Sequence, residues 1–211
     1  MKKRVLSYLG VICMCLHILS GTVFADVINS TGNNAFPDVP ANAEYAEAVN
    51  ALHECGIING DEKGNFNPNS SVTRAEAATI ICRLLGMSEE AKQANTTEFS
   101  DVPSNHWANG YVAVAAKQGI INGYGNGKFG PSDSVTYAQM IKMLVCAWGY
   151  ENEAQSAGGW PNGYVEIAQN IGISKNMNIT DSSKHVIRSN VAVLCYNTLN
   201  IAPGNFLDTD I

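Results

Sequence analysis

Two arginines, Arg74 and Arg188, stand where a cation calls for an explanation. Arg74 belongs to Thr73-Arg74-Ala75-Glu76, a capping-box sequence in which the threonine hydroxyl accepts from the Glu76 backbone N–H and the Glu76 side chain reaches back. It therefore falls in the first turn of a helix, where the macrodipole is positive and a cation is disfavoured by ~0.3–1 kcal/mol. A solvated surface arginine has no reason to choose that position. A carboxylate site supplies one, because free backbone N–H groups and a guanidinium converge there on a single anion. Arg188 holds the same place in Ile187-Arg188-Ser189-Asn190, whereas Thr136-Tyr137-Ala138-Gln139 has Tyr137 there. This reading requires an open groove beside Arg74. It fails if Arg74 is pinned in an internal salt bridge.

Six further residues have types suited to a ligand. Trp107 and Trp160 each open a helix, and a flat indole face suits the C–H surface of a sugar, although an aromatic at such a boundary serves a core equally well. Gly60-Asp61 and Gly123-Tyr124 follow a helix and offer hydrogen bonds to sugar hydroxyls, or ordinary turn chemistry. Asp38 and Asp101 read as turn braces rather than ligands. No cofactor or metal is expected. Asn59 to Ser70 fails as a calcium loop, since Lys63 falls on a ligand position and Ser70 stands where the twelfth-place acid belongs. The four histidines have no zinc spacing beside the cysteines. Neither a nucleophile elbow, a His-Glu-x-x-His helix nor a phosphate loop is present, so no catalytic residue is assigned.

Repetition positions these residues. Phe36-Pro37-Asp38-Val39 returns as Phe99-Ser100-Asp101-Val102, and Gly56-Ile57-Ile58-Asn59-Gly60 as Gly119-Ile120-Ile121-Asn122-Gly123. Gly64, Phe66 and Pro68 return as Gly127, Phe129 and Pro131, and Val72-Thr73 as Val135-Thr136, all at one offset of 63. A third copy is degenerate: Trp107 and Gly110-Tyr111-Val112 match Trp160 and Gly163-Tyr164-Val165 at an offset of 53, and Val135 matches Val186 at 51. It lacks the Phe-x-Asp opening and the Gly-x-Phe-x-Pro loop. The copies span 36–86, 99–149 and 160–200, with polar connectors at 87–98 and 150–159.

Each copy reads as helix, structured loop, helix. The first helix is clearest in the Tyr45, Val49, Leu52 stripe and stops at Gly56. The second buries Ala77, Ile80, Ile81, Leu84 and Leu85, then Met140, Met143, Leu144, Ala147 and Trp148, then Val191, Leu194, Cys195, Thr198 and Leu199. Ile187 has no cap oxygen, which predicts a less clean start at a cost of ~0.5–2 kcal/mol. One helix pair buries little core, so the expected fold class is all-α, with three tandem helix-loop-helix repeats packed as a pseudo-threefold bundle and clefts between neighbouring copies.

The N-terminus fixes a compartment. Residues 1–25 combine Lys2-Lys3-Arg4, an apolar run from Leu6 to Ile18 and Val23-Phe24-Ala25 before a cleavage point, the order of a signal peptide. The run is shorter than the about 20 apolar residues a membrane span needs. Cleavage removes three cations and no acid, moving the net charge from −6 to −9. That balance opposes nonspecific binding to nucleic acid or anionic lipid. The remaining cysteines, Cys55, Cys82, Cys146 and Cys195, form no CxxC pair and read as small core residues.

These motifs in this order resemble the S-layer homology domain: Phe-x-Asp-Val, a helix, Gly-Ile-Ile-x-Gly, Gly-x-Phe-x-Pro and Val-Thr-Arg-Ala-Glu. The first copy matches nearly throughout, the second departs at Tyr137 and Gln139, and the third keeps its helices and Arg188. The resemblance implies a secreted cell-surface protein that attaches noncovalently to a secondary cell-wall polysaccharide, often through a pyruvylated sugar, with Arg74 as the recognition arginine. The alternatives are a protein–protein interaction module with degenerate repeats, or the anchoring part of a longer surface protein.

Overall fold

The computed structural model describes residues 34–204, so the signal-peptide reading of residues 1–25 lies outside the described residues. Eight helices account for nearly all the regular structure there: α1 (Ala46–Glu54), α2 (Arg74–Leu84), α3 (Ser88–Gln93), α4 (Asn109–Lys117), α5 (Tyr137–Ala147), α6 (Glu151–Ser156), α7 (Asn162–Ile171) and α8 (Arg188–Leu199). Among the described residues, none of them is long and apolar enough to cross a membrane.

Local sequence sets the helix ends. Thr73 caps α2 and Thr136 caps α5, each in a complete capping box with Glu76 or Gln139. Ile187 gives α8 no side-chain cap, as expected. Gly56, Gly119 and Gly172 end the first helices in the left-handed conformation. The predicted stripes of α2, α5 and α8 are all buried, each large apolar side chain contributing about 1.5–3 kcal/mol.

The free N–H groups at the starts of α2, α5 and α8 find partners across the molecule. Arg74 and Ala75 donate to the carbonyls of Asp133 and Pro131, Tyr137 and Ala138 to those of Lys184 and Ser182, and Arg188 and Ser189 to those of Ser70 and Pro68. Each helix start thus docks on the loop of another helix pair. The fully buried valines before them complete the circuit: Val135 N–H donates to Val72, Val186 to Val135 and Val72 to Val186, at 2.9, 3.0 and 3.3 Å. This closed, buried cycle accounts for the valine that recurs in all three places.

Helix packing follows the same rule. α2 packs chiefly on α4, α5 on α7, and α8 returns to α1. The two helices of one sequence copy are therefore divided between neighbours.

The segments expected to be polar connectors contain α3 and α6, which lie against α4 and α7. Ala91 and Ala154 face inward from them. A Cβ on Gly110 would collide with the Ala91 carbonyl, and one on Gly163 with the Ala154 carbonyl, which accounts for the recurring Gly-Tyr-Val. Cys82 and Cys195 are core residues, and burial pushes both thiols up to about 12. Cys55 departs from that expectation: it is exposed, because it caps the C-terminus of α1 beyond the buried stripe. Among the described residues, no disulfide joins the cysteines.

Candidate functional site

The eight candidate residues fall into two grooves of about 370 Å³ each, four in each. Gly60, Asp61, Trp107 and Arg188 line the first, and Arg74, Gly123, Tyr124 and Trp160 line the second. Each groove takes its loop, its arginine and its tryptophan from three separate parts of the chain.

A chain of hydrogen bonds holds each arginine in place. In the second groove, the Asp101 carboxylate accepts from the backbone N–H groups of Phe129 and Gly130, both at 2.8 Å. Burial opposes ionisation of Asp101, but those two donors outweigh it and keep its carboxyl below the usual range. The Phe129 carbonyl, oriented by that brace, accepts from Arg74 Nε at 2.7 Å, and the Asn122 carbonyl accepts from Nη2 at 2.8 Å. The guanidinium lies over the rings of Phe129 and Tyr124, 4.5 and 4.8 Å from their centroids. These contacts offset the unfavourable dipole at the helix start. Arg74 is 5% exposed, and burial draws its pKa below the ordinary arginine value while leaving it a cation at neutral pH. Among the described residues it has no carboxylate in ion-pair range, and its Nη1 has no acceptor. The groove that Arg74 was expected to need is open beside it.

The first groove repeats this geometry. Asp38 braces the N–H groups of Phe66 and Asn67 at 2.8 and 2.7 Å. Arg188 donates from Nε to the Phe66 carbonyl at 2.8 Å and from Nη2 to the Asn59 carbonyl at 3.0 Å, with its guanidinium 5.0 Å from the Phe66 ring centroid. One contact differs: Arg188 Nη1 lies 3.7 Å from Glu76 Oε1. Asp61 replaces Tyr124, and its carboxylate accepts from the backbone of Lys63 and Asn65 and from the Asn67 amide, all at 2.9 Å. Those bonds, Asn65 foremost, lower its pKa to about 2, so it is both a turn residue and a fixed negative charge in the groove. Gly60 and Gly123 are packing residues: a Cβ there would stand 2.8 Å from the Phe36 ring, or 2.7 Å from the Lys128 carbonyl.

The tryptophans were open between core and surface. Trp107 is 61% exposed and Trp160 52% exposed, so both are surface residues that line their grooves, Trp107 stacked on His106 with ring centroids 5.8 Å apart. Tyr137 stands apart from both arginine grooves. It lines a third groove of about 610 Å³, not the one beside Gly123 and Tyr124. That third groove has no arginine in its lining and carries Glu44, Glu47, Tyr196 and Asn190. There Tyr196 donates its hydroxyl proton to Glu47 at 2.7 Å, and the Asn190 amide donates to the Tyr137 hydroxyl.

Several lining residues escaped the sequence reading. Glu76, Thr79, Ile80 and Arg83 form one stripe of α2 along the first groove, and Gln139, Lys142 and Met143 form its counterpart on α5. Their i, i+3, i+4 spacing along the edge of the buried stripe, to which Ile80 and Met143 themselves belong, was available as a signal. Among the described residues, no group of three or more His, Cys, Asp or Glu is placed to hold a metal ion.

The family model of the S-layer homology domain matches residues 35–78 and 98–141. The chain is 32% identical over 186 residues to a cell surface protein of Thermoanaerobacter kivui, covering 87% of this chain and 24% of that protein. It is 37% identical over 139 residues to a surface layer protein of Brevibacillus choshinensis, covering 65% of this chain and 12% of that one. An amylopullulanase of Thermoanaerobacterium thermosulfurigenes matches at 40% identity over 122 residues, 56% of this chain and 6% of the enzyme. The chain thus spans a quarter or less of the length of these relatives. With loops braced by Asp38 and Asp101 at the matched positions, the chain belongs to the S-layer homology domain proteins, with that domain at residues 35–78 and 98–141.

Proposed function

We propose that this chain is a noncovalent anchoring module that binds an acidic secondary cell-wall polysaccharide, pyruvylated at the sugar it recognises. The observation that carries this reading is an arginine held by two backbone carbonyls beside an exposed tryptophan, found in both narrow grooves. A pyruvyl ketal offers the carboxylate for the guanidinium, and its ring offers C–H groups for the indole. The similarity to surface layer proteins supports the same reading. In it, residues 160–200 are a third, degenerate copy that completes the ring, residues 1–25 direct secretion, and the module works at the cell surface by binding rather than by catalysis. The third groove carries Lys175 but no arginine held by backbone carbonyls, so this reading assigns it no carboxylate site.

A single charge-assisted hydrogen bond contributes ~1.5–3 kcal/mol, so retention rests on repeated sugars engaging two grooves on one polymer. Purified protein is expected to sediment with isolated wall sacculi and to be released once the pyruvyl groups are removed chemically. Arg74→Ala lowers retention while leaving the thermal unfolding transition cooperative. Failure of the parent protein to sediment with untreated sacculi rules the proposal out.

A further inference from the structure

The two arginine grooves share a scaffold and differ in charge. The second is lined by Arg74 and Lys142 and by no carboxylate. The Lys142 ammonium lies 5.8 Å from the Trp160 ring centroid and 5.4 Å from that of Tyr164, and among the described residues no acid is in ion-pair range of it. The acids nearest Arg74 on this side lie outside the lining: Asp133 is engaged by the Tyr124 hydroxyl at 2.7 Å and Asp101 by the Phe129 and Gly130 N–H groups. In the first groove Thr79 replaces Lys142, and the cations Arg83 and Arg188 face Asp61 and Glu76. Glu76 Oε1 stands 3.7 Å from Arg188 Nη1, the nitrogen whose counterpart on Arg74 has no acceptor among the described residues.

Resting on the anchoring reading above, we infer that the grooves are unequal: Lys142 makes the Arg74 groove the tight carboxylate site, and Glu76 holds the Arg188 groove weak. A ligand carboxylate entering the second groove meets a guanidinium with an open Nη1 and a second cation along the indole. One entering the first must displace Glu76 and approach Asp61. Chain position therefore sets specificity through two residues on equivalent faces of α2 and α5. Neither touches the backbone brackets that hold the arginines.

The substitution that tests this is already present in the molecule. Gln139 stands where Glu76 does and completes its capping box, so Glu76→Gln keeps the α2 cap while removing the charge. Methyl 4,6-O-(1-carboxyethylidene)hexopyranoside is titrated into the protein while the indole N–H signals of Trp107 and Trp160 are followed by NMR, one reporting on each groove. We expect the Trp160 signal to saturate first, Lys142→Met to weaken that groove about three- to fivefold, and Glu76→Gln to tighten the Trp107 groove by a similar factor. Lys142→Met retains the stem that packs on the aromatic rings. Saturation of Trp107 first, or no change in its affinity with Glu76→Gln, overturns the inequality and leaves the anchoring reading standing. If neither signal moves with the ketal, both fall together.

Discussion

Arg74 illustrates how one side chain does two jobs. Its Nε and Nη2 close hydrogen bonds to Phe129 and Asn122, which lie in a different sequence copy, and it also lines the groove, its Nη1 without an acceptor among the described residues. Arg74→Ala leaves two carbonyls without those donors, an effect of about 1–3 kcal/mol. That is a fraction of the ~5–15 kcal/mol by which domains are normally stable, so the variant stays folded and its loss of retention reports on binding. Arg74→Lys keeps the charge but has no planar fork to span both carbonyls and a ligand. It is expected to rescue sacculus retention poorly, below a tenth of the parent level in a sedimentation assay.

At the scale of elements, the capping pattern predicts a stability change. α8 starts at Ile187 without a side-chain cap, whereas Thr73 and Thr136 cap α2 and α5. Ile187→Thr places a hydroxyl in reach of the Asn190 N–H and is expected to stabilise by ~0.5–1 kcal/mol, seen as a higher urea midpoint with unchanged slope. An unchanged or lower midpoint would mean that the loop carbonyls of Ser70 and Pro68 already satisfy the α8 start. The short helices α3 and α6 were not legible, because six residues carry too few apolar positions to set a period. Only the collision a Cβ would make at Gly110 and Gly163 reveals why their backbones must come so close.

At the scale of the whole molecule, the closed circuit makes the third helix pair indispensable. α1 packs on α8, and the loop of the first copy receives the N-terminus of α8. A fragment ending at Gly149 retains both matched domains yet loses the partner of α1. It is expected to show no cooperative thermal transition by circular dichroism. Acid sensitivity is also collective. Asp61 has its pKa lowered to about 2 by the Asn65 backbone and the Asn67 amide, and Asp101 and Asp181 are also held below the ordinary value of 3.8. Folded carboxyls that bind protons more weakly than unfolded ones stabilise the fold fully above about pH 4, and this contribution is lost as the pH falls towards 2. The urea midpoint should hold between pH 7 and 5 and drop between pH 4 and 2.5. A midpoint flat over that lower range would show that these carboxylates contribute nothing to stability.

The amino-acid sequence alone determined the repeats, the paired helices of each copy but not the short α3 and α6, the buried stripes, the two threonine caps and the eight candidate residues, since all of these follow from spacing along one chain. Tertiary structure decided how those residues were partnered. Arg74 serves the loop of the second copy and Arg188 that of the first, because the N–H groups freed at each helix start are satisfied by carbonyls on another loop, a link that no periodicity records. The charge of each groove was settled the same way, by side chains from distant parts of the chain, Arg188 being brought beside Asp61 and Glu76 in the first groove.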